Sequence, residues 1–270
     1  MKISVITPNY NGAKYLEECI RSVISQRQVG IDLEYIVVDG GSTDGSLDII
    51  RNYESEITRV ISEPDRGPTD AINKGLRLAT GGLIGWLNAD DCYYPAALER
   101  AISVMTDNPS KALCFGHCPI VDEKGNEIRA GITRFKEFFF PISCRFTIQC
   151  INYISQPAMF FRRGAYEKAG PVRQDLKAAF DYDFVLRLWR QGGAVQIPKP
   201  PLAAFRWHEG SISGQNFRMQ FKEEWDAAAR SAGAASPQAL IHLGVRWGIV
   251  WIYSMMAGRR ERRRADAGRC

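Results

Sequence analysis

Ile3-Ser4-Val5-Ile6-Thr7-Pro8-Asn9-Tyr10-Asn11-Gly12 opens the chain with a short β-branched run that breaks into a turn cluster. Such a run reads as a strand ending in a loop. Behind it, Tyr15, Cys19 and Val23, with Leu16, Ile20 and Ile24, recur at helical spacing. The unit then repeats. Glu34 to Val38 reads as a second strand, ended by Asp39-Gly40-Gly41, and Ser42-Thr43-Asp44 offers capping oxygens for a helix from about Ser46. Arg59 to Ser62 is a third strand. Asp70 to Ala79 is helical and stops at Gly81-Gly82, and Leu83 to Leu87 is a fourth strand. Strands alternating with helices predict an α/β fold, with a mostly parallel sheet covered by helices on both faces.

The second half reads differently. Ala112 to Phe115 and the Val121–Ile128 stretch, with a turn at Lys124-Gly125-Asn126, look like antiparallel additions. Phe135 to Pro141 is an aromatic segment. Ala158 to Phe161 reads as a strand, Tyr182 to Trp189 as a helix, and Val195 to Ile197 and Ala203 to Trp207 as short strands. Residues 1–230 form one domain on this reading. Residues 231–270 are a C-terminal apolar helix and basic tail.

The chain has 270 residues, 45% hydrophobic and 24% charged, which is ordinary for a globular protein. Its net charge of +5 is uneven. Six arginines between Arg259 and Cys270 stand against Glu261 and Asp266. The body is left close to neutral, which argues against nucleic acid as a partner. Leu240 to Ala257 is apolar apart from His242, Arg246 and Ser254. Arg246 makes a membrane span expensive. Three readings stay open: a helix lying on a membrane surface, a last helix packed on the body, or a span in spite of that cost. The seven cysteines are irregularly spaced, and no signal core follows Lys2. Both point to reduced cysteines and a cytoplasmic location, at the inner face of a membrane if the tail binds lipid.

In an open parallel sheet, ligands bind beyond the carboxyl ends of the strands. Those ends carry Thr7-Pro8-Asn9, Asp39-Gly40-Gly41-Ser42, Glu63-Pro64-Asp65-Arg66-Gly67 and Asn88-Ala89-Asp90-Asp91. The acids should therefore converge on one edge. Converging oxygens suit a hard divalent cation, Mg²⁺ or Mn²⁺, and such a cation neutralises a diphosphate. No Walker-type loop and no Gly-x-Gly-x-x-Gly follows the first strand, which weakens a kinase or dehydrogenase reading.

The segments Val5–Asn11, Val37–Asp44, Asp70–Gly75 and Asn88–Asp91, in that order and spacing, resemble the family 2 glycosyltransferases of the GT-A fold. Gln156-Pro157, Phe180-Asp181-Tyr182-Asp183 and Arg206-Trp207-His208 also fit the family's later segments, so the likeness runs to about residue 210. The resemblance implies an inverting transferase, using a UDP-, GDP- or dTDP-linked sugar donor and a sugar or other hydroxyl acceptor. The apolar and basic tail suggests a lipid-linked acceptor, as in surface polysaccharide or glycolipid assembly. It implies that Thr7, Pro8, Asn9, Asn88 and Ala89 border the nucleotide. Asp39 would hydrogen-bond the base, with a turn-forming role as the alternative. Asp70 would lie near ribose or sugar, with a helix N-cap as the alternative.

Asp90 would ligate the metal and His208 would touch metal or diphosphate; Asp91 is the neighbouring acid, with a solvated turn acid as its alternative. Asn88 stands where the family's first metal-motif aspartate is expected. Asp181 would be the general base, with an N-cap as the alternative, and Asp183 the runner-up. Gln156, Asp183 and Phe138-Phe139-Phe140 would border the acceptor, unless the phenylalanines are core. Arg162 and Arg163 are offered to a phosphate or to solvent. Two rival functions stay open: a nucleotidyltransferase acting on sugar phosphates, and a non-catalytic nucleotide-sugar binding protein.

Overall fold

A computed structural model of the chain describes residues 1–27, 30–208, 210–211 and 217–248. Strands β1 (Lys2–Asn9), β2 (Asp32–Asp39), β3 (Arg59–Ser62) and β4 (Leu83–Trp86) lie in the order β3-β2-β1-β4 and are all parallel. Helices α1 (Ala13–Ile24), α2 (Ser46–Asn52) and α3 (Pro68–Leu78) make the crossovers. The α/β reading of the first half is thus what the chain adopts.

Alternation along each strand feeds two cores, because a strand buried on both faces sends successive side chains to opposite sides. Ile3, Val5, Tyr35, Val37 and Leu83 meet α1 through Leu16, Cys19, Ile20 and Val23. Ile6, Ile36, Val38, Ile84 and Trp86 meet α3 through Ala71, Ile72 and Leu76. Each fully buried aliphatic side chain here contributes roughly 1.5–3 kcal/mol. Gly75 allows the close approach of α3: a Cβ there would lie 2.3 Å from Ile6 Cγ2.

Beyond β4 the sheet turns mixed. Strand β5 (Cys92–Tyr93) and helix α4 (Ala97–Asp107) lead to β6 (Leu113–Phe115) and β7 (Ile120–Val121). Helices α5 (Ala130–Phe138) and α6 (Arg145–Cys150) then precede β8 (Met159–Arg162), which pairs antiparallel with both β4 and β6. Helices α7 (Arg163–Ala169) and α8 (Phe180–Trp189) lead to β9 (Ala194–Gln196) and β10 (Ala203–Arg206). β10 sits between β5 and β7 in a small second sheet.

Three expectations change. β7 pairs in parallel with β10, and the 121–128 stretch returns on itself only through an antiparallel bridge from Glu127 to Val121. The carboxylate of Asp122, accepting from Lys124 N and Asn126 N, ties that turn instead of a longer ladder. The aromatic segment is largely the helix α5; Phe140 after it is buried edge-on against Phe115 and Phe139 packs partly buried on Tyr153, so the core reading holds for these two and fails for Phe138. Finally, α9 (Phe217–Ala232) runs through the division expected at residue 230. A last described helix over 237–248 packs back on the body, with His242 buried and stacked on Tyr182. The apolar stretch from 249 to 257 and the basic tail lie outside the described residues. Among the described residues no helix is long and apolar enough to cross a membrane.

Candidate active site

Register partners Asn9 and Asp39 end β1 and β2 side by side. Asn9 Nδ2 donates to Asp39 Oδ1 at 2.7 Å and to Ser42 Oγ at 3.1 Å. Ser42 Oγ donates to the same Asp39 oxygen, while Gly41 N, Ser42 N and Ser62 Oγ donate to Asp39 Oδ2. Burial works against the charged form of Asp39, but the bonds from Ser42 and Asn9 outweigh it and hold its carboxyl below the ordinary range. Asp39 is wholly buried, and its five internal donors fill a carboxylate's capacity. The turn-forming alternative therefore describes Asp39 in this structure. Its reach extends further: Ser42 Oγ receives Asn11 N, and Asn11 Oδ1 receives Thr43 N. The first two edge loops are one hydrogen-bonded unit.

Thr7 is also buried, its hydroxyl accepting from Tyr35 at 3.1 Å, so it supports this loop from beneath. Pro8 is buried between Thr7 and Asn9 in β1. Ala89 lies against Gly12, where an added Cβ would come within 3.3 Å of its own. Asp70 is not an N-cap. Gly67 caps α3, and Asp70, third in the helix, reaches back to accept Arg66 N at 3.2 Å. It also accepts from Gln174 Nε2 at 3.1 Å, linking β3's loop to the 172–174 loop.

At the end of β4, Asp90 Oδ2 lies 3.0 Å from His208 Nε2. Asp91 points the other way. It is buried, it accepts Arg206 N at 2.9 Å, and burial together with the neighbouring Asp90 charge pushes its carboxyl well above the ordinary range. Asp91 is therefore no solvated turn acid. Arg206 is 2% exposed and braces the whole corner. Its guanidinium donates to the carbonyls of Asp90, Asp122 and Glu123 and to Glu18 Oε2. Tyr15 covers both partners of this corner, with its ring 5.3 Å from that of His208 and 4.9 Å from the Arg206 guanidinium.

These donors fit a divalent cation. Asp90 Oδ2 and His208 Nε2 are in direct hydrogen-bond contact, and a carboxylate oxygen with an imidazole nitrogen is a donor set that such an ion accepts. Among the described residues no third His, Cys, Asp or Glu joins them. The remaining positions suit phosphate oxygens and water, as is common for Mg²⁺-type sites.

Asn88 connects this corner to the other side of the edge. Its Nδ2 donates to Asp91 Oδ2 at 3.3 Å and to Gln156 Oε1 at 3.4 Å, and Gln156 Nε2 donates to Trp86 O at 2.7 Å. Next to Gln156, Ser155 accepts from Lys136 Nζ at 3.2 Å. The Lys136 charge also acts on Asp181, the second residue of α8. A helix start lowers a carboxyl pKa. Burial wins here and holds Asp181 above the ordinary range, against the Tyr182 N–H and Lys136. Asp181 is thus a stronger base than its helix position alone implies.

The Glycosyl transferase family 2 profile matches residues 4–170. The chain belongs to glycosyltransferase family 2. A PGL/p-HBAD biosynthesis glycosyltransferase of Mycobacterium bovis is 31% identical over 196 residues, covering 71% of each chain. Several longer curated relatives match as well, and this chain spans only 28–39% of their length. Among solved structures, S. aureus TarS 1–349 in complex with UDP-GlcNAc superposes with a TM-score of 0.68 at 20% identity, covering 89% of this chain and 69% of that one. The mannosyltransferase PcManGT from Pyrobaculum calidifontis, in complex with GDP-Man and Mn²⁺, gives 0.65 at 18% identity, covering 96% and 79%. The fold is therefore of the GT-A type.

Within this family 2 chain, two expected groups fall elsewhere. Asp183 is no acceptor-side acid. It is buried and ion-paired with Arg187 at 2.8 Å and Arg230 at 3.3 Å, with Arg173 at 4.0 Å, because two residues along a helix turn it to the opposite side. Arg162 is the last residue of β8 and Arg163 the first of α7, at the amino edge of β4. Arg162 donates to the carbonyls of Lys111, Met105 and Asn108, and Arg163 faces Glu167. Neither meets the site. Sequence reading also missed Arg206 and Glu18 as braces, and two acids of α9. Glu223 caps the approach to α8 by accepting Ala178 N and Ala179 N. Glu224 is buried and accepts from Asn152 at 3.0 Å and Gln220 at 3.2 Å. Burial, helped by the Asp181 charge, pushes Glu224 up to about 7. Nothing in an amphipathic helix marks such an acid before the helix is docked.

Proposed function

We propose that this protein is an inverting glycosyltransferase that moves a sugar from a nucleotide-diphosphate donor to a hydroxyl acceptor. The observation that carries this reading is the Asp90–His208 pair, 3.0 Å apart at the carboxyl edge of a GT-A sheet. The donor side is Thr7, Pro8, Asn9, Asp39, Asp70, Asn88 and Ala89. Asp39 orders the loop that receives the base, and a base N–H would take the place of one of its five donors. UDP-, GDP- and dTDP-linked sugars all fit that description. The complexes of TarS with UDP-GlcNAc and of PcManGT with GDP-Man support the donor class.

Asp90 and His208 would hold a divalent cation, which supplies positive charge against the diphosphate leaving group. An imidazole among oxygen ligands favours Mn²⁺ over Mg²⁺, and PcManGT was seen with Mn²⁺. Asp181 takes the proton from the acceptor hydroxyl as that oxygen attacks the anomeric carbon. The bond from the anomeric carbon to the diphosphate breaks on the opposite face, so the configuration inverts. Gln156 and Lys136 keep the acceptor side in register with Asn88. The mycobacterial relative's role in PGL/p-HBAD biosynthesis supports a lipid-linked acceptor and a glycolipid or polysaccharide product. A membrane-surface role for residues 240–257 belongs to the same reading.

The nucleotidyltransferase alternative needs a cation free to grip phosphate in the loop after β1. Lys14 is the cation there, and it is paired with Glu123. The decisive experiment is turnover of a nucleotide-sugar panel with Mn²⁺, by nucleoside diphosphate release. Release of UDP or GDP supports transfer, and formation of a sugar nucleotide from sugar phosphate overturns it. Binding without turnover across panel and acceptors leaves the non-catalytic reading.

A further inference from the structure

Helices α5 and α6 leave a group of large apolar side chains uncovered. Phe135, Phe138, Ile142 and Phe146 are 47%, 71%, 57% and 47% exposed. Phe139 joins two of them, its ring 5.4 Å from both Phe135 and Phe138. Single exposed apolar residues are normal on a protein surface, whereas a contiguous group calls for a partner.

Along the group's own segment the free charges are basic. From Ala130 to Cys150 the single acid is Glu137, and it is drawn inward to His117 at 2.7 Å and Lys199 at 3.7 Å. Arg134 and Arg145 stand exposed beside the phenylalanines. The helix over 237–248 adds to this side of the molecule. It is anchored by His242 against Tyr182, whose hydroxyl donates to Ile148 O of α6, and it leaves Leu240, Ile241 and Trp247 exposed. The sequence then continues apolar to Ala257 and into six arginines. Exposed aromatics with arginines and no free acid match the interface of a bilayer that carries anionic headgroups: rings enter the headgroup boundary and guanidiniums meet phosphate.

We propose that Phe135, Phe138, Ile142 and Phe146, with Arg134 and Arg145, form a docking surface for an anionic lipid bilayer. The surface has a consequence for the cleft. Lys136 leaves the same helix inward, toward Ser155 and the Asp181 carboxylate. A docked α5 thus holds the acceptor end of the edge at the membrane, where a lipid-linked hydroxyl is found. Binding itself is independent of the transferase reading, and only this orientation rests on it.

The test is co-sedimentation of the full chain, without nucleotide, with vesicles of phosphatidylcholine alone and with vesicles containing about one third phosphatidylglycerol. The expected result is binding to the anionic vesicles at least about tenfold tighter than to the neutral ones. Phe135→Ser with Ile142→Ser and Phe146→Ser lowers that binding by about tenfold or more, while nucleotide-sugar hydrolysis in solution is unchanged. Arg134→Glu with Arg145→Glu, at exposed sites, lowers it as well. Retention of full binding by both variants would assign the membrane contact to the tail and overturn the proposal. So would a failure of the wild-type chain to sediment with anionic vesicles. So would self-association that the apolar variant abolishes, in a chain that ignores vesicles. None of these results depends on Asp181, so they separate from a failure of the transferase reading.

Discussion

Asp90 and His208, 118 positions apart in sequence, meet at 3.0 Å because β10 runs beside β5 and Arg206 ties the two ends together. The pair predicts metal dependence. Chelation abolishes turnover and Mn²⁺ restores it. His208→Ala weakens Mn²⁺ binding by about 10–100-fold, the scale of losing a ligand or its orienting partner, as read by calorimetry with UDP present. Unchanged Mn²⁺ affinity in that variant removes His208 from the site.

Asn88 is a donor to both Asp91 and Gln156, and a carboxylate there accepts only. Asn88→Asp therefore breaks two contacts and adds a third acid beside Asp90 and Asp91. The variant is expected to be less stable without metal and to regain stability when Mn²⁺ is added, since a ligand that binds the folded state raises stability by mass action. Thermal melts with and without Mn²⁺ decide it. A melt that Mn²⁺ does not shift counts against the site.

Asp181→Asn removes the proposed proton acceptor and keeps the shape. Turnover should fall by roughly 10²–10⁴-fold, with donor KM within a few-fold of the wild type. A variant with full turnover would falsify the base assignment.

Glu224 predicts a pH-dependent stability. Its carboxyl rises from an ordinary 4.5 to about 7, so the fold holds the protonated form best. Its stabilising contribution is complete below about pH 4.5 and is lost as pH climbs through 7. The loss amounts to about 3 kcal/mol, from roughly 1.4 kcal/mol per pKa unit. Glu224→Gln, which stays neutral, should flatten that decline in denaturant melts between pH 5 and 8. A parallel decline in both proteins shows that the buried acid is not its source.

Gly75→Ala puts a methyl group 2.3 Å from Ile6 Cγ2, in the middle of a packed layer. Helix propensity favours alanine by about 1 kcal/mol, and overpacking costs roughly 1–3 kcal/mol. The net expectation is a lower melting temperature, with the double variant Gly75→Ala, Ile6→Val recovering part of it. A rise in melting temperature for the single variant would show that α3 can shift.

The left half of the sheet is legible in the chain because its signal is local. Ile3, Val5 and Ile6, or Tyr35 to Val38, alternate between two cores, and each strand is followed by a helical repeat and a turn residue. Which strand ends hold Asn9, Asp39, Asn88 and Asp90 follows from that order alone. The second half is less legible for the opposite reason. The aromatic run at 135–140 contains residues that end up exposed as well as residues that end up buried, so neither a strand period nor a clean helix stripe survives in it. Asp181 and Asp183 look interchangeable in sequence, yet α8 points one toward Lys136 and the other into three arginines.

The chain by itself determined the βαβ order, the carboxyl edge as the candidate site, and the acids available there, since these depend on periodicity and on turn chemistry within a few residues. Tertiary structure alone decided that Asp39 spends its oxygens on its own loop, that His208 pairs with Asp90 while Asp91 is buried by Arg206, and that Glu224 sits beside the Asp181 charge. Those outcomes turn on burial and on contacts across tens to more than a hundred residues, and a carboxylate's role follows from what surrounds it.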